Sequence, residues 1–160
     1  MNRHRGQRAQ GMVEFAFIAP VFFMLLLGVL DLGRAGFFYV VGSYLARDGA
    51  RDAAVYDTGT GLTNTAVTNL ISAEAKATGI GTITAPAGCA NTTPPAPPAA
   101  LSACQTPAVG EMKFFIEDVS GTPHYKKVST IYGFQPITPM LNVITGTIYI
   151  RATAAMTVEY

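Results

Sequence analysis

Residues 10–34 have the sequence QGMVEFAFIAPVFFMLLLGVLDLGR, and this stretch decides how the chain is organised. No residue from Phe15 to Leu30 carries a charge. With the apolar residues just before Phe15, the run reaches about twenty residues, which is enough to cross a bilayer at about 1.5 Å per residue. The sequence therefore predicts a membrane-spanning segment over residues 10–34 that anchors the mostly polar remainder of the chain.

The charges on either side of this segment predict its orientation. A basic head, residues 1–9, carries Arg3, Arg5 and Arg8, and the next basic residue is Arg34. Lys and Arg collect on the cytoplasmic side of a membrane span. We therefore expect the head in the cytoplasm, disordered or removed, and residues 35–160 outside as one extracytoplasmic domain.

A cleaved secretory signal peptide is the alternative for the first thirty residues. Such a peptide has an apolar region of about 7–15 residues followed by a small-x-small cleavage site. Here the apolar run is longer, and DLGRAGFFY at residues 31–39 continues a helical pattern. An uncleaved anchor, or one trimmed on its cytoplasmic side, agrees better with the sequence.

Composition bounds the remaining function classes. The 160 residues allow one domain beyond the anchor, and a net charge of +1 gives no reason to expect nucleic acid as a partner. The two cysteines, Cys89 and Cys104, lack the spacing of a metal site. Outside the cytoplasm a disulfide between them is the natural interpretation, and two unpaired thiols are the alternative.

A long helix is predicted over residues 10–56, with a kink at Pro20. Asp31 and Arg34 are three residues apart, so we expect an ion pair at the outer membrane interface. Small residues recur every four positions, on one helix face, at Gly42, Ala46, Ala50 and Ala54. This small-residue stripe predicts a close approach of either the sheet or a neighbouring helix.

The rest of the chain predicts an α+β domain. A second helix begins at Thr63 or Asn64 and ends near Gly79, and a weak strand follows at 80–85. A proline-rich, exposed loop occupies residues 86–109. Period-2 patterns predict antiparallel strands at 111–119, 124–134 and 147–159, with a crossing loop before the last one. The sheet should pack against the outer half of the long helix.

Little in the sequence indicates catalysis, a cofactor or a metal. The sequence has no Ser/His/Asp set and no phosphate-binding loop. His4 lies in the basic head, and we expect His124 to be a solvated turn residue. Glu14 is the exception, because a carboxylate inside an apolar run is costly unless it is paired and is by default a functional candidate. The alternative is that Glu14 reaches cytoplasmic water and the span begins at Phe15.

Three motifs together resemble the N-terminal signature of TadE-like proteins, minor pseudopilins of the tight-adherence (Flp pilus) machinery. They are GMVEFAFIAP at 11–20, LGVLDLGR at 27–34 and ARDGARDAA at 46–54. The resemblance implies a type IV pilin-like precursor that a prepilin peptidase cuts between Ala9 and Gln10. Glu14 then becomes the fifth residue of the mature chain and pairs with the α-amine of a neighbouring subunit. Related precursors usually carry glycine where Ala9 stands.

The resemblance also implies a place and a set of partners. The protein would sit in the bacterial inner membrane with its domain in the periplasm, and could continue into the extracellular pilus. Its partners would be pilin and pseudopilin subunits, the inner-membrane assembly platform, prepilin peptidase and the lipid bilayer. The expected function is assembly or initiation of the pilus. The alternative is a membrane-tethered periplasmic binding domain that does not enter a filament.

Overall fold

The computed structural model describes residues 3–55, 64–80, 82–84, 106–119 and 123–158. The elements, in chain order, are α1 (Arg3–Val55), α2 (Asn64–Ala77), β1 (Thr82–Thr84), β2 (Glu111–Val119), β3 (Tyr125–Phe134), α3 (Pro139–Thr145) and β4 (Ile148–Thr157). A long apolar N-terminal helix thus precedes a domain built around an antiparallel sheet of β2, β3 and β4. The predicted α+β class is confirmed.

Helix α1 is continuous over 53 residues. The basic head was expected to be disordered or removed; its backbone is helical from Arg3, and its removal stays a prediction. Arg, Gln and Ala are good helix formers, and a helix that is already nucleated extends at little cost. Pro20 lies inside α1 and does not end it. The kink at Pro20 stays a prediction.

The two halves of α1 have opposite environments. Nearly all large apolar side chains from Met12 to Leu32 are exposed, and the most apolar window of the helix has no part buried in the protein. From Val41 onward one face is buried, with Leu45 and Ala46 at 0% exposure. One helix therefore provides an uncovered apolar segment and then part of the domain core.

The sheet has the order β1-β2-β3-β4. Strands β2 and β3 pair antiparallel with Phe115 opposite Ser129, and β3 and β4 pair antiparallel with Thr130 opposite Ala152. The predicted weak strand at 80–85 is present as β1, which pairs parallel to β2 at one edge. A parallel neighbour needs a crossover connection, and the chain between β1 and β2 includes the proline-rich loop.

The alanines of the small-residue stripe of α1 are buried, and its glycine, Gly42, contacts the sheet. A Cβ on Gly42 would lie 3.1 Å from Thr130 Oγ1 and 3.7 Å from Met112 Cε. The Thr130 hydroxyl donates a hydrogen bond of 3.0 Å to the Gly42 carbonyl oxygen. Gly49 lies next to the stripe, and a Cβ there would be 2.6 Å from Ile71 of α2. Gly42 therefore packs on the sheet, while Gly49 gives α2 its close approach.

Two features of the sheet differ from the period-2 expectation. Strand β3 is buried at every position from Val128 to Phe134, so both of its faces are covered. On the predicted inner face of β4 and the residue after it, Ala152 and Val158 are buried, while Ile148 and Met156 are 40% and 42% exposed. The face is therefore covered only in part. The predicted crossing loop before β4 also contains a helix, α3.

Candidate functional site

The candidate site is the junction where α1 meets the β3–β4 connection. Asp31 of α1 is only 4% exposed although it is charged. Its carboxylate accepts hydrogen bonds from Ile137 N at 3.0 Å, Thr138 N at 2.8 Å and Thr138 Oγ1 at 2.7 Å. Buried carboxylates require such partners, because desolvation would otherwise disfavour the charge strongly. Asp31 thus ties the helix to the residues immediately before α3.

Two further α1 side chains contact the end of β3 at the junction. Arg34 Nη1 lies 3.3 Å from Asp31 Oδ1, and its guanidinium carbon lies 5.3 Å from the centre of the Phe134 ring. Phe38 stacks on Tyr132 with ring centres 4.0 Å apart. Cation–π and stacked aromatic contacts of this kind add to the burial of apolar area. The junction therefore couples the anchor helix firmly to the sheet.

Sequence spacing predicted the Asp31–Arg34 contact but not the larger role of Asp31. The two residues do approach each other, and their position at the membrane interface stays a prediction. The donors of Ile137 and Thr138 follow Asp31 by 106 and 107 residues. The only sequence signal for this role was an acidic residue at the end of an apolar helix. Such a residue does not identify Ile137 and Thr138 as its partners.

An apolar cavity of about 340 Å³ adjoins the junction. One wall comes from α1 and the other from the start of α3 with the residue before it. The lining residues are Met24, Leu25, Gly28, Val29, Leu32, Thr138, Met140 and Leu141. The cavity lies on the part of α1 that is predicted to span the membrane.

The predicted processing and assembly residues lie on α1, away from the junction. Ala9 and Gln10 belong to its continuous helical backbone, and Glu14 is exposed. Glu14 lies seventeen positions before Asp31 on the helix, or about 25 Å of helical rise. The structure does not bring Glu14 together with the other candidate residues. Cleavage at Ala9–Gln10 and a pairing role for Glu14 stay predictions.

Cys89, Cys104 and most of the proline-rich loop fall outside the described residues, so the disulfide stays a prediction. The end of that loop, residues 106–110, lies against β2 and β3. Glu111 Oε2 accepts from Ala108 N at 2.7 Å, and Lys113 Nζ donates to Thr106 O at 2.9 Å. Partial burial raises the pKa of Glu111, but hydrogen bonds from Thr84 and Ala108 and the charge of Lys113 outweigh it and lower the pKa overall.

His124 is not the solvated turn residue that the sequence predicted. Its Nε2 contacts Asp118 Oδ1, and its side chain is 17% exposed. Asp118 also accepts from Lys126 Nζ at 2.5 Å. Partial burial raises the pKa of Asp118, but hydrogen bonds from Lys126 and His124, with their charges, hold it below its ordinary value. This cluster closes the β2–β3 hairpin.

Within the described ranges, no group of three or more His, Cys, Asp or Glu residues could hold a metal ion.

Comparison with known proteins identifies the part of the chain that contains α1. Residues 9–51 match the family described as TadE-like protein. The N-terminal segment is TadE-like. The matched range includes Glu14, Asp31 and Arg34 together with most of the small-residue stripe. No curated protein and no solved structure matched the chain.

The TadE-like match confirms the resemblance and limits it to residues 9–51. The family is a structural one, associated with the tight-adherence pilus, and is not known to be enzymatic. Among the described residues, α1 is the helix long and apolar enough to cross a membrane. This candidate span is consistent with membrane anchoring. The TadE-like match stops at residue 51, before α2 and the sheet.

Proposed function

We propose that this chain is a membrane-anchored minor pseudopilin that takes part in the assembly or initiation of a tight-adherence (Flp) type IV pilus. The observation that carries the proposal is that the TadE-like match covers two differently exposed halves of α1. Its first half is apolar and uncovered, and its second half is buried under the sheet. A subunit that moves from membrane to filament needs both halves in one helix.

The physics of that transfer favours a filament as the destination. An uncovered apolar helix is stable in lipid, and outside lipid it must be covered by other apolar surface at about 25 cal/mol per Å². Other anchor helices of pilin and pseudopilin subunits would supply that surface. The junction holds the domain to the helix through Asp31, so a displacement of the domain also displaces the anchor.

Glu14 is the proposed assembly carboxylate. In a bundle of anchor helices its charge must find a positive partner or take up a proton. Cleavage between Ala9 and Gln10 by prepilin peptidase would create an α-amine four residues before Glu14. The amine of a neighbouring subunit could then pair with the carboxylate. Desolvation offsets most of the attraction in such a pair, so the pair acts as a docking restraint more than as a net stabiliser.

The proposed location is the bacterial inner membrane, as a single-pass protein. The arginine-rich head would lie in the cytoplasm and residues 35–160 on the periplasmic side of the membrane. The inner-membrane assembly platform would be the partner that moves the subunit into the extracellular pilus.

The test is recruitment into sheared pili. Glu14→Ala should leave membrane insertion and the domain fold intact but remove the protein from the pilus fraction, and Glu14→Gln should be intermediate. Met12→Ala is the matched control, because it trims another exposed side chain of α1 and keeps the carboxylate. Mass spectrometry of the mature N-terminus should show a start at Gln10.

One result would contradict the proposed function, and another would contradict the role of Glu14. Absence of the unmodified protein from sheared pili, with the protein intact in the membrane, would favour a tethered periplasmic binding domain. Normal recruitment of Glu14→Ala would reduce Glu14 to a headgroup-level residue that contacts cytoplasmic water.

A further inference from the structure

We propose that α3 is a second membrane-embedded element, inserted in the extracytoplasmic leaflet beside α1 and covered by phospholipid acyl chains. The inference rests on the membrane anchoring of α1, which is part of the proposed function. It adds a lipid-binding surface from the C-terminal domain, beyond the TadE-like match.

The depth of α3 follows from its neighbours on α1. Met140 and Leu141 line the same cavity as Met24, Leu25 and Val29. These three α1 residues lie two to seven positions before Asp31, or about 3–10 Å further into the span by helical rise. An element that packs beside this part of the helix lies at the same depth. If α1 spans a bilayer, the start of α3 is therefore within it.

The surface of α3 is suited to lipid and poorly suited to water. None of the seven described residues of α3 is buried. The most exposed large apolar side chains on it are Val143 at 87%, Ile144 at 76% and Met140 at 55%, and Ile137 just before it is 61% exposed. Soluble proteins rarely leave a contiguous patch of this kind uncovered. The patch is continuous, through the shared cavity, with the uncovered apolar surface of α1.

The charge pattern of the sequence agrees with insertion. No charged residue occurs from Val128 to Ile150, a range that contains the whole β3–β4 connection. Charges are expensive in the hydrocarbon region, so their exclusion from an exposed connection is expected for a membrane-facing one. Asp31, the charged group that contacts this connection, is buried at the junction and accepts hydrogen bonds from residues 137 and 138.

Three polar side chains of the connection, Gln135, Asn142 and Thr145, make hydrogen bonds within the protein. Asn142 Oδ1 accepts from Gln135 Nε2 at 3.1 Å, and Thr145 Oγ1 donates to Leu141 O at 2.8 Å. Lipid offers no hydrogen-bonding partners, so internal pairing is a condition for exposure to acyl chains. These bonds are the ones that a polar residue on a lipid-facing helix needs.

The cavity between α1 and α3 completes the proposed surface. Its volume of about 340 Å³ is at the lower end of the range for ligand pockets, and its lining is almost entirely apolar. An acyl chain is the ligand that such a cavity accepts without leaving polar groups unpaired. The anchor helix of a second copy is the competing occupant, and the test separates the two.

Depth-dependent fluorescence quenching provides the test. The chain contains no tryptophan, so a single introduced tryptophan reports its own environment. Val143→Trp is made in the full chain, which is reconstituted in phosphatidylcholine vesicles whose acyl chains carry bromine. Val21→Trp on α1 serves as the lipid reference, and Met156→Trp at the far end of β4 serves as the aqueous reference. Ile144→Trp repeats the measurement at a second exposed position of α3.

The expected result is strong quenching of Trp at 143 and 144 by the brominated lipid, at least twofold and comparable to position 21. Aqueous iodide should quench position 156 and leave α3 nearly unaffected. Quenching of α3 by iodide but not by brominated lipid, with position 21 still quenched by lipid, would overturn the inference and leave the anchor intact. Shielding of α3 from both quenchers would assign the surface to a second copy and also overturn it. Failure of position 21 to respond to brominated lipid would remove the membrane anchor and the proposed function together.

Discussion

The carboxylate of Asp31 accepts hydrogen bonds from the backbone N–H and the hydroxyl of Thr138, at 2.8 and 2.7 Å. The two residues are 107 positions apart in the chain. One side chain of the anchor helix therefore holds the connection that leads into α3, and with it the orientation of the domain on the helix.

Asp31→Ala should destabilise the domain and release α3. The change leaves the donors of Ile137 and Thr138 without their acceptor. A buried hydrogen-bonding group that loses its partner costs about 1–3 kcal/mol of stability. Thermal unfolding of the detergent-solubilised chain, followed by circular dichroism, should show a midpoint lower by several degrees. Limited proteolysis should show new cleavage between β3 and β4.

Arg34→Gln is the matched control for Asp31→Ala. It removes the 3.3 Å ion pair but keeps the three hydrogen bonds to Asp31. The Arg34 side chain is 41% exposed, so water screens the arginine side of the pair, and we expect a smaller loss of stability than for Asp31→Ala. Equal effects of the two substitutions would mean that the ion pair, and not the hydrogen bonds from residues 137 and 138, holds the junction.

Gly133→Ala should disrupt the packing of residues 106–110 on the sheet. A Cβ at Gly133 would overlap the carbonyl oxygen of Ala108, and backbone atoms cannot move aside as a side-chain tip can. The same contact includes a 2.8 Å hydrogen bond from Gly110 N to Gly133 O. Overpacking of this kind costs about 1–3 kcal/mol, which equilibrium unfolding in urea would measure.

Gly33→Ala is the control for Gly133→Ala, because it adds the same methyl group at a position where no atom blocks it. A Cβ at Gly33 would meet no atom of the described chain within 4 Å. Alanine also favours a helix over glycine by about 0.5–1 kcal/mol. Stability unchanged or slightly raised is the expected result, and a loss as large as that of Gly133→Ala would argue against a purely local clash at Gly133.

Glu74→Gln should stabilise the protein at neutral pH. Burial, and then the nearby carboxylates Asp48 and Asp52, raise the pKa of Glu74 above its ordinary value of 4.5. The folded chain therefore binds this proton more tightly than the unfolded chain. The contribution of this proton binding to the free energy of unfolding is present below pH 4.5 and is lost as the pH rises through the raised pKa of Glu74.

Glu74→Gln removes this pH-dependent loss of stability, because glutamine does not ionise. We expect the free energy of unfolding at pH 7 to increase by about 0.5 kcal/mol, the size typical of a like-charge contact near the surface. The gain should disappear at pH 4. Glu117→Gln is the control, because Glu117 lies 3.1 Å from Lys127 and its charge is favourable there. A gain in both variants would indicate a general effect of net charge.

The orientation of α1 can be measured with reporters. A phosphatase fused after Tyr160, active only in the periplasm, should be active, and a reporter active only in the cytoplasm should be silent there. The prediction follows from Arg3, Arg5 and Arg8 on one side of the uncharged span. Replacing all three with glutamine should reduce the periplasmic signal. The opposite reporter pattern in the unmodified chain would reverse the proposed topology.

Local pattern was sufficient for most elements of the fold. The uncharged run of α1, the extent of α2 and the period-2 strands β2 and β3 each depend on residues that are close in sequence. The exact burial of β3 was not accessible in this way. Strand β3 lies between β2 and β4 in the sheet, and residues 106–110 contact it at Gly133. A period-2 pattern does not say which strand is central.

Helix α3 was not predicted because its stability is not local. It is seven residues long, starts at a proline and contains β-branched residues, and isolated helices shorter than about 12 residues are marginal in water. Asp31 holds the two residues before it, and the wall of α1 lines its apolar side. Without those contacts, PMLNVIT has the pattern of a loop.

The amino-acid sequence alone thus determined that an apolar helix precedes an α+β domain, because hydrophobic runs and periodicities are properties of neighbouring residues. It also placed Asp31 at the end of the apolar run, three residues before Arg34, as half of an expected ion pair. Only the tertiary structure decided what that charge binds and what lies beside the predicted span. Those are contacts between residues more than 100 positions apart, and their formation depends on how the sheet packs on α1 and not on any local preference of either segment.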